Sequence, residues 1–348
     1  MSDVTLTVDL AALAANYSKL AKASAPGTCG AVVKANGYGL GARACAARLA
    51  QSGCQDFFVA TTNEAIEVRA ELPGVRVFVL GGISKNDTDG ALEHGLIPVV
   101  NDASALERWR VQAGHPLAIQ VDTGMNRLGF TRDAFASANL SGLHIVLLMT
   151  HLACADEPHH PANARQRARF AELLTRLPGV PLSLSSSAGI LSHGGGVREI
   201  GRPGIALYGG NPFATQTCAL ARVATFDAPV LQMRDVVVGD EVGYGATYVA
   251  DRARRIAVVG AGYADGVPRL LSNRGAVAFG AQRLPIVGRV SMDLTTIDAS
   301  EAPDLRVGDR VSFFGGAVAL EEVAAWAETI SYEILTGIGP RVVRRYLN

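Results

Sequence analysis

Lys34 ends an apolar run, AVVK, and an amine in such a place is poorly solvated. Burial disfavours the charged ammonium, which lowers the pKa and makes the amine a better nucleophile toward a carbonyl. A salt-bridged structural lysine would look the same from position alone. Four further polar stations follow apolar runs in the same manner: Arg127 in VDTGMNRLGF, His151 in LLMTHLA, Ser186 and Ser187 in SSSAGIL, and Arg202 before PGIALYGG. The backbone N–H groups of Gly204 and Ile205, with the Ser187 hydroxyl, could receive an anion where a helix begins. Each reads singly as something plainer: a hydrogen-bonded core histidine, a surface ion pair, an ordinary serine loop. Their joint appearance at successive strand ends favours chemistry.

The elements that must position these groups are short apolar runs, expected as buried parallel strands at 30–34, 57–60, 75–80, 97–100, 117–121, 143–150, 182–185 and 199–202. Segments rich in Ala, Leu, Arg and Glu lie between them, with helices expected at 41–51, 63–72, 103–113 and 163–177. Eight such alternations describe a (β/α)8 barrel of the TIM type, whose chemistry sits at the C-terminal ends of its strands. A doubly wound sheet is the alternative, but no GxGxxG follows the first strand. After residue 222 β-branched runs between Gly/Asp turns take over, with strands expected at 228–233, 255–259, 275–279, 287–290, 295–298 and 310–314. A short helix at 320–327 and the basic tail RVVRRYLN follow. The fold class is therefore α/β: a barrel over 8–222 and a mostly β domain over 223–348, with an N-terminal strand at 1–7 packing on the latter.

With 348 residues, 49% hydrophobic and 18% charged, the chain can bury a large core. Its 32 basic and 32 acidic residues balance, with no basic run. That points to a small-molecule partner rather than nucleic acid or a membrane surface. Five cysteines without CxxC or Cys/His spacing argue against a metal site or disulfide framework and for the cytoplasm. Asp3 and Asp9 interrupt any signal-like apolar stretch, and Leu10, Leu13, Tyr17 and Leu20 fall at helical spacing instead.

The segment AVVKANGYGLG around Lys34 resembles the cofactor-lysine motif of alanine racemases. VDTGMNRLGF, THLA, SSSAGIL, IGRPGIALYG, VGYGATY, GYADGVPR, IVGRVSMD and SYEILTGI follow in that family's order, so the resemblance spans about residues 4–345. It implies a pyridoxal 5'-phosphate enzyme that interconverts L- and D-alanine, working as a head-to-tail homodimer with shared active sites. Lys34 would carry the cofactor and act as one of two proton-transfer bases. Tyr38, Ser187, Gly204, Ile205 and Tyr332 would bind the phosphate, and Arg202 would face the pyridine nitrogen. A guanidinium keeps its protons, so the ring nitrogen would stay unprotonated and the electron sink weak. The second base would be Tyr244 from the other subunit, helped by His151 in a chain Tyr244–His151–Arg202. Arg127 and Met125 would flank substrate and cofactor, and the partner would supply Met292 and Asp293. Tyr263 and Arg269 would narrow the entrance to an alanine-sized substrate.

Three positions depart from the pattern. Gln120 stands where many members carry a lysine that becomes carbamylated; it could accept a hydrogen bond from Arg127 but brings no charge, so no carbamate is expected. Ser186 replaces a common asparagine, and Ser291 the usual cysteine before Met292. The alternatives are a racemase of serine or a broader set, a barrel-fold amino-acid decarboxylase, and a non-catalytic single-barrel cofactor binder. Arg202 speaks against the decarboxylase, which needs an acid at the ring nitrogen, and the β domain with Tyr244 against the binder.

Overall fold

The computed structural model describes residues 4–112 and 114–348. Asp3, the first positions of the strand expected at 1–7 and the end of the helix expected at 103–113 lie outside the described residues. The chain divides into two compact units. One is Leu13–Ala221; the other joins the described residues up to Ala12 with Arg222–Asn348. The boundaries expected from the sequence are 8 and 222.

In the first unit Ala31–Val32, Asp56–Val59, Arg76–Val79, Ile97–Val100, Pro116–Gln120, His144–Met149 and Leu182–Ser183 pair in parallel, each with the next. Phe57, Phe58, Val77, Phe78, Leu117 and Ile119 are each at most 1% exposed. Strands covered on both faces require such unbroken apolar runs. An eighth strand, Ile200–Gly201, pairs in parallel with Thr28–Cys29 at the start of the first. Isolated bridges Leu182↔Glu199 and Ser186↔Arg202 join it to the seventh. The N–H of Val32 donates to Pro203 O and that of Arg202 to Ser185 O, at 2.9 and 2.8 Å. The sheet thus closes into a (β/α)8 barrel. Helices Ala42–Gln51, Thr62–Glu71, Ala103–Arg110 and Pro161–Leu173 stand near their expected places.

In the second unit the thirteen-residue strand Ala224–Val236 organises two sheets. It pairs antiparallel with Thr5–Asp9 and Arg310–Phe314, then past a register shift with Arg254–Val259. The basic tail forms a strand, Val343–Leu347, parallel to Thr5–Asp9. The strand expected at 287–290 is not one. The hairpin Ala276–Phe279 with Gln282–Pro285 lies just before it, and Gly288 has φ +76, with any added Cβ 2.6 Å from Val242 O. Buried Val287 and Val290 mimic a strand pattern while packing a loop. A helix Ser331–Thr336 was not anticipated. Among the described residues no helix is long and apolar enough to cross a membrane.

Candidate active site

The first strand stops at Val32, and the backbone after Lys34 turns left-handed. Ala35, Asn36 and Gly37 have φ/ψ of 52/48, 53/50 and 61/44, and Tyr38 has φ 54. Such backbone costs roughly 1–2 kcal/mol per non-glycine residue, so neighbours must hold it. Gly37 N–H donates to Val33 O and Gly39 N–H to Ala35 O, at 2.9 and 2.8 Å. Asn36 Oδ1 accepts from Ala42 N–H at 2.9 Å, and Glu64 Oε1 from Ala35 N–H at 2.7 Å. The turn swings Tyr38 inward onto Tyr208, whose ring lies 4.7 Å away in a stacked pair. Lys34 itself is half-buried. Its pKa is lowered, first by burial, then by the Arg127 charge, with Arg202 adding to the effect and Glu64 opposing it. The amine is thereby biased toward the nucleophilic free base.

Arg202 is 4% exposed. Its Nη1 donates to Ser183 Oγ and its Nη2 to Thr150 O at 2.7 Å, and Nη2 also lies 3.2 Å from His151 Nδ1. Burial draws its pKa down to about 10, which leaves it charged at neutral pH. His151 is pushed down to about 3 by burial and by the cations Arg202, Arg127 and Lys34. A neutral ring that accepts from Arg202 at Nδ1 carries its proton on Nε2, an assignment made from the network. The backbone carbonyl of His151 accepts from Gln166 Nε2 at 2.9 Å, and Gln166 Oε1 accepts from Ala153 N–H at 2.9 Å. The sequence reading missed Gln166, as it missed Glu64 and Tyr208. Glu64 had a signal, the T-x-x-E spacing after Thr61, but that spacing announces only a helix start.

Arg127 is exposed, and its charge reaches Lys34 and His151. Gln120 could accept from Arg127, but no hydrogen bond joins the two among the described residues. Gln120 Nε2 instead donates to Leu128 O at 2.9 Å, because the loop after the fifth strand folds its own backbone over the amide. Asp122 Oδ1 shapes that loop by accepting from Gly124 and Met125 N–H, at 2.7 and 2.8 Å. Met125 is half-buried there.

Ser187, 2% exposed, begins the helix Ser187–His193. Its Oγ accepts from Gly204 N–H at 2.9 Å and Ala206 N–H at 3.3 Å, so its own proton is free to point elsewhere. A Cβ on Gly204 would sit 2.1 Å from the Tyr38 hydroxyl. Only glycine allows the phenol to rest on the backbone there. Tyr208 Oη donates to Val32 O at 2.9 Å and so ties this corner to the first strand. Lys34, Tyr38, Ser187, Arg202, Gly204 and Ile205 thus gather at one rim with His151 and Arg127.

The remaining residues lie on the second unit. Tyr244, 71% exposed, begins a short turn between Gly243 and Gly245, whose φ values are 77 and 71. Tyr263 N–H donates to Ser291 O and Ala264 N–H to Met292 O, both at 3.0 Å. This pairing sets Tyr263 beside Met292, and the two are 44% and 53% exposed. Asp293 accepts from Arg341 at 2.7 Å, and Arg341 also grips Asp265 with two bonds. Arg269 is exposed, and Tyr332 half-buried on the helix Ser331–Thr336.

Residues 8–212 match the family model for the alanine racemase N-terminal domain, and 223–346 that for its C-terminal domain. An alanine racemase of Acidiphilium cryptum is 44% identical over 99% of both chains. A catabolic alanine racemase of Rhizobium johnstonii is 43% identical over 98% of this chain and 94% of its own. Among solved structures, alanine racemase from Bartonella henselae with covalently bound pyridoxal phosphate superposes with a TM-score of 0.93 at 37% identity, over the whole of both chains. The barrel with its rim of Lys34, His151 and Arg202, the β unit, and likeness along the full length agree: the chain belongs to the alanine racemase family.

Proposed function

We propose that this chain interconverts L- and D-alanine with pyridoxal 5'-phosphate held at Lys34. The observation that carries the reading is the charge cluster at the barrel rim, where Lys34 is depressed toward its free base beside a buried Arg202 tied to a neutral His151. The rim fits the cofactor by its donor set. Lys34 supplies an amine, Arg202 a permanent cation for the ring nitrogen, and Ser187, Tyr38 and the backbone of Gly204 and Ile205 a neutral, hydrogen-bonding cradle for phosphate. When bound, the cofactor supplies an aldehyde for the substrate amine and a conjugated ring that spreads the electrons left when the α-proton departs.

Racemisation needs a proton removed from one face of the α-carbon and another delivered to the opposite face. In this reading Lys34 Nζ serves one face. The Tyr244 hydroxyl of a second copy serves the other. A phenol is a weak base at neutral pH and needs a donor to hold its anion. His151 Nε2–H has that role, with Arg202 fixing the ring from behind. Arg127 and the backbone N–H of Met292 from the second copy hold the substrate carboxylate, Asp293 of that copy stands next to Met292, Met125 bounds the pocket, and Tyr263 and Arg269 bound its entrance. The exposure of Tyr244 and Met292 in one chain supports a homodimer that shares its sites. Cytoplasmic action fits the cysteine usage. The test is racemisation of a panel of L-amino acids by the cofactor-loaded protein. Alanine should turn over fastest; turnover of serine or a broad set at equal kcat/KM would overturn the substrate, and of none the whole reading.

A further inference from the structure

The carboxylate of Glu64 does two tasks at once. Its Oε2 accepts from Ala60 N–H at 2.7 Å and Thr61 N–H at 3.3 Å, while Thr61 Oγ1 accepts from Glu64 N–H at 3.4 Å. That is a capping box for the helix Thr62–Glu71, and one oxygen suffices for it. Oε1 reaches elsewhere, to Ala35 N–H at 2.7 Å. Ala35 follows Lys34 and opens the left-handed turn, with φ 52. One side chain therefore spans from the end of the second strand to the backbone of the turn that follows the first. A carboxylate can accept on both sides. A glutamine cannot, since its amide would turn an N–H against an N–H. The groups whose charges act on Lys34 are Arg127, Arg202 and Glu64, and Glu64 is the acid among them.

We propose that Glu64 is a positioning residue for Lys34, fixing the backbone next to the lysine through the Ala35 N–H. This rests on the reading that Lys34 carries the cofactor. The bland alternative is that Glu64 is a helix cap and nothing more.

The test uses the full chain stripped of cofactor, as wild type, Glu64→Gln and Glu64→Asp. Pyridoxal phosphate is added, and the visible absorbance that grows as its aldehyde condenses with the Lys34 amine, losing one water, is followed against pH. Glu64→Gln should lower the plateau rate about 10-fold, through misplacement of the amine. It should also move the midpoint down by about half to one pH unit, because the acid that favours the ammonium is gone. Glu64→Asp keeps the charge but not the reach, so the midpoint should return while the plateau stays low. Hydrogen exchange at Ala35 N–H should rise about 10-fold in Glu64→Asp, a readout that survives if Glu64→Gln does not fold. A Glu64→Gln protein with lowered Tm but wild-type plateau and midpoint would reduce Glu64 to a cap, as would unchanged exchange at Ala35. Wild type that never gains the absorbance would instead sink the assignment of Lys34.

Discussion

Arg202 Nη2 lies 3.2 Å from His151 Nδ1, while the same guanidinium holds Thr150 O and Ser183 Oγ. One residue after the eighth strand thereby ties together the ends of the sixth and seventh. Five N–H donors in a planar fork make this possible, and burial makes every one of those bonds matter. The same contact dictates which nitrogen of His151 carries the proton, and so what that ring can offer a neighbouring phenol.

Arg202→Lys keeps the charge and loses the fork. An ammonium cannot span three acceptors set around a planar group, so buried acceptors go unpaired. Chemical denaturation should show a loss of about 2–4 kcal/mol, and kcat for alanine should fall by about 100-fold. A variant with wild-type kcat would show that the fork has no part in the reaction.

His151 gives a pH signature. Its pKa lies near 3 in the fold against an ordinary 6.5, so the unfolded chain binds the proton more tightly. The stability it contributes is fully present above pH 6.5 and is lost as pH falls from there toward 3. His151→Asn should flatten that part of the profile of the cofactor-free chain, by about 1–3 kcal/mol at pH 4.5. Equal acid-side slopes in the two proteins would mean that His151 is charged in the fold.

Much of this was legible from sequence where burial is two-sided. Phe57–Phe58 and Val77–Val79 read as strands buried on both faces, and the polar residues just beyond such runs marked the rim. The left-handed turn was not legible: alternating glycines at 37, 39 and 41 hint at it, but Ala35, Asn36 and Tyr38 adopt it only because Glu64, Val33 and Ala42 hold them. Val287 and Val290 misled because a buried loop and a strand edge ask for the same side chains. The partner of Gln120 was not legible for another reason. It is a backbone carbonyl eight residues on, and loop geometry decides that.

Gly204→Ala should overpack the cradle, since its Cβ would meet the Tyr38 hydroxyl at 2.1 Å. The expected cost is about 1–3 kcal/mol by denaturation, with weaker retention of pyridoxal phosphate on dialysis. Gly74→Ala, where an added Cβ meets nothing within 4 Å, is the control and should stay within about 0.5 kcal/mol. Equal behaviour of the two would remove Gly204 from the cradle.

Tyr244→Phe should block one face of the α-carbon and spare the other. In D2O the variant should exchange the α-proton of one alanine enantiomer at least about 100-fold faster than that of its mirror image, whereas wild type exchanges both. Equal exchange of both enantiomers by the variant would contradict two bases on opposite faces.

Lys34 is one of only four lysines in the chain, the others being Lys19, Lys22 and Lys85. The cofactor-loaded protein should therefore be reduced with borohydride, digested and sequenced by mass spectrometry. A single pyridoxyl-phosphate adduct is expected, on the peptide that contains Lys34. An adduct on any of the other three, or none from a protein that still racemises alanine, would contradict the assignment.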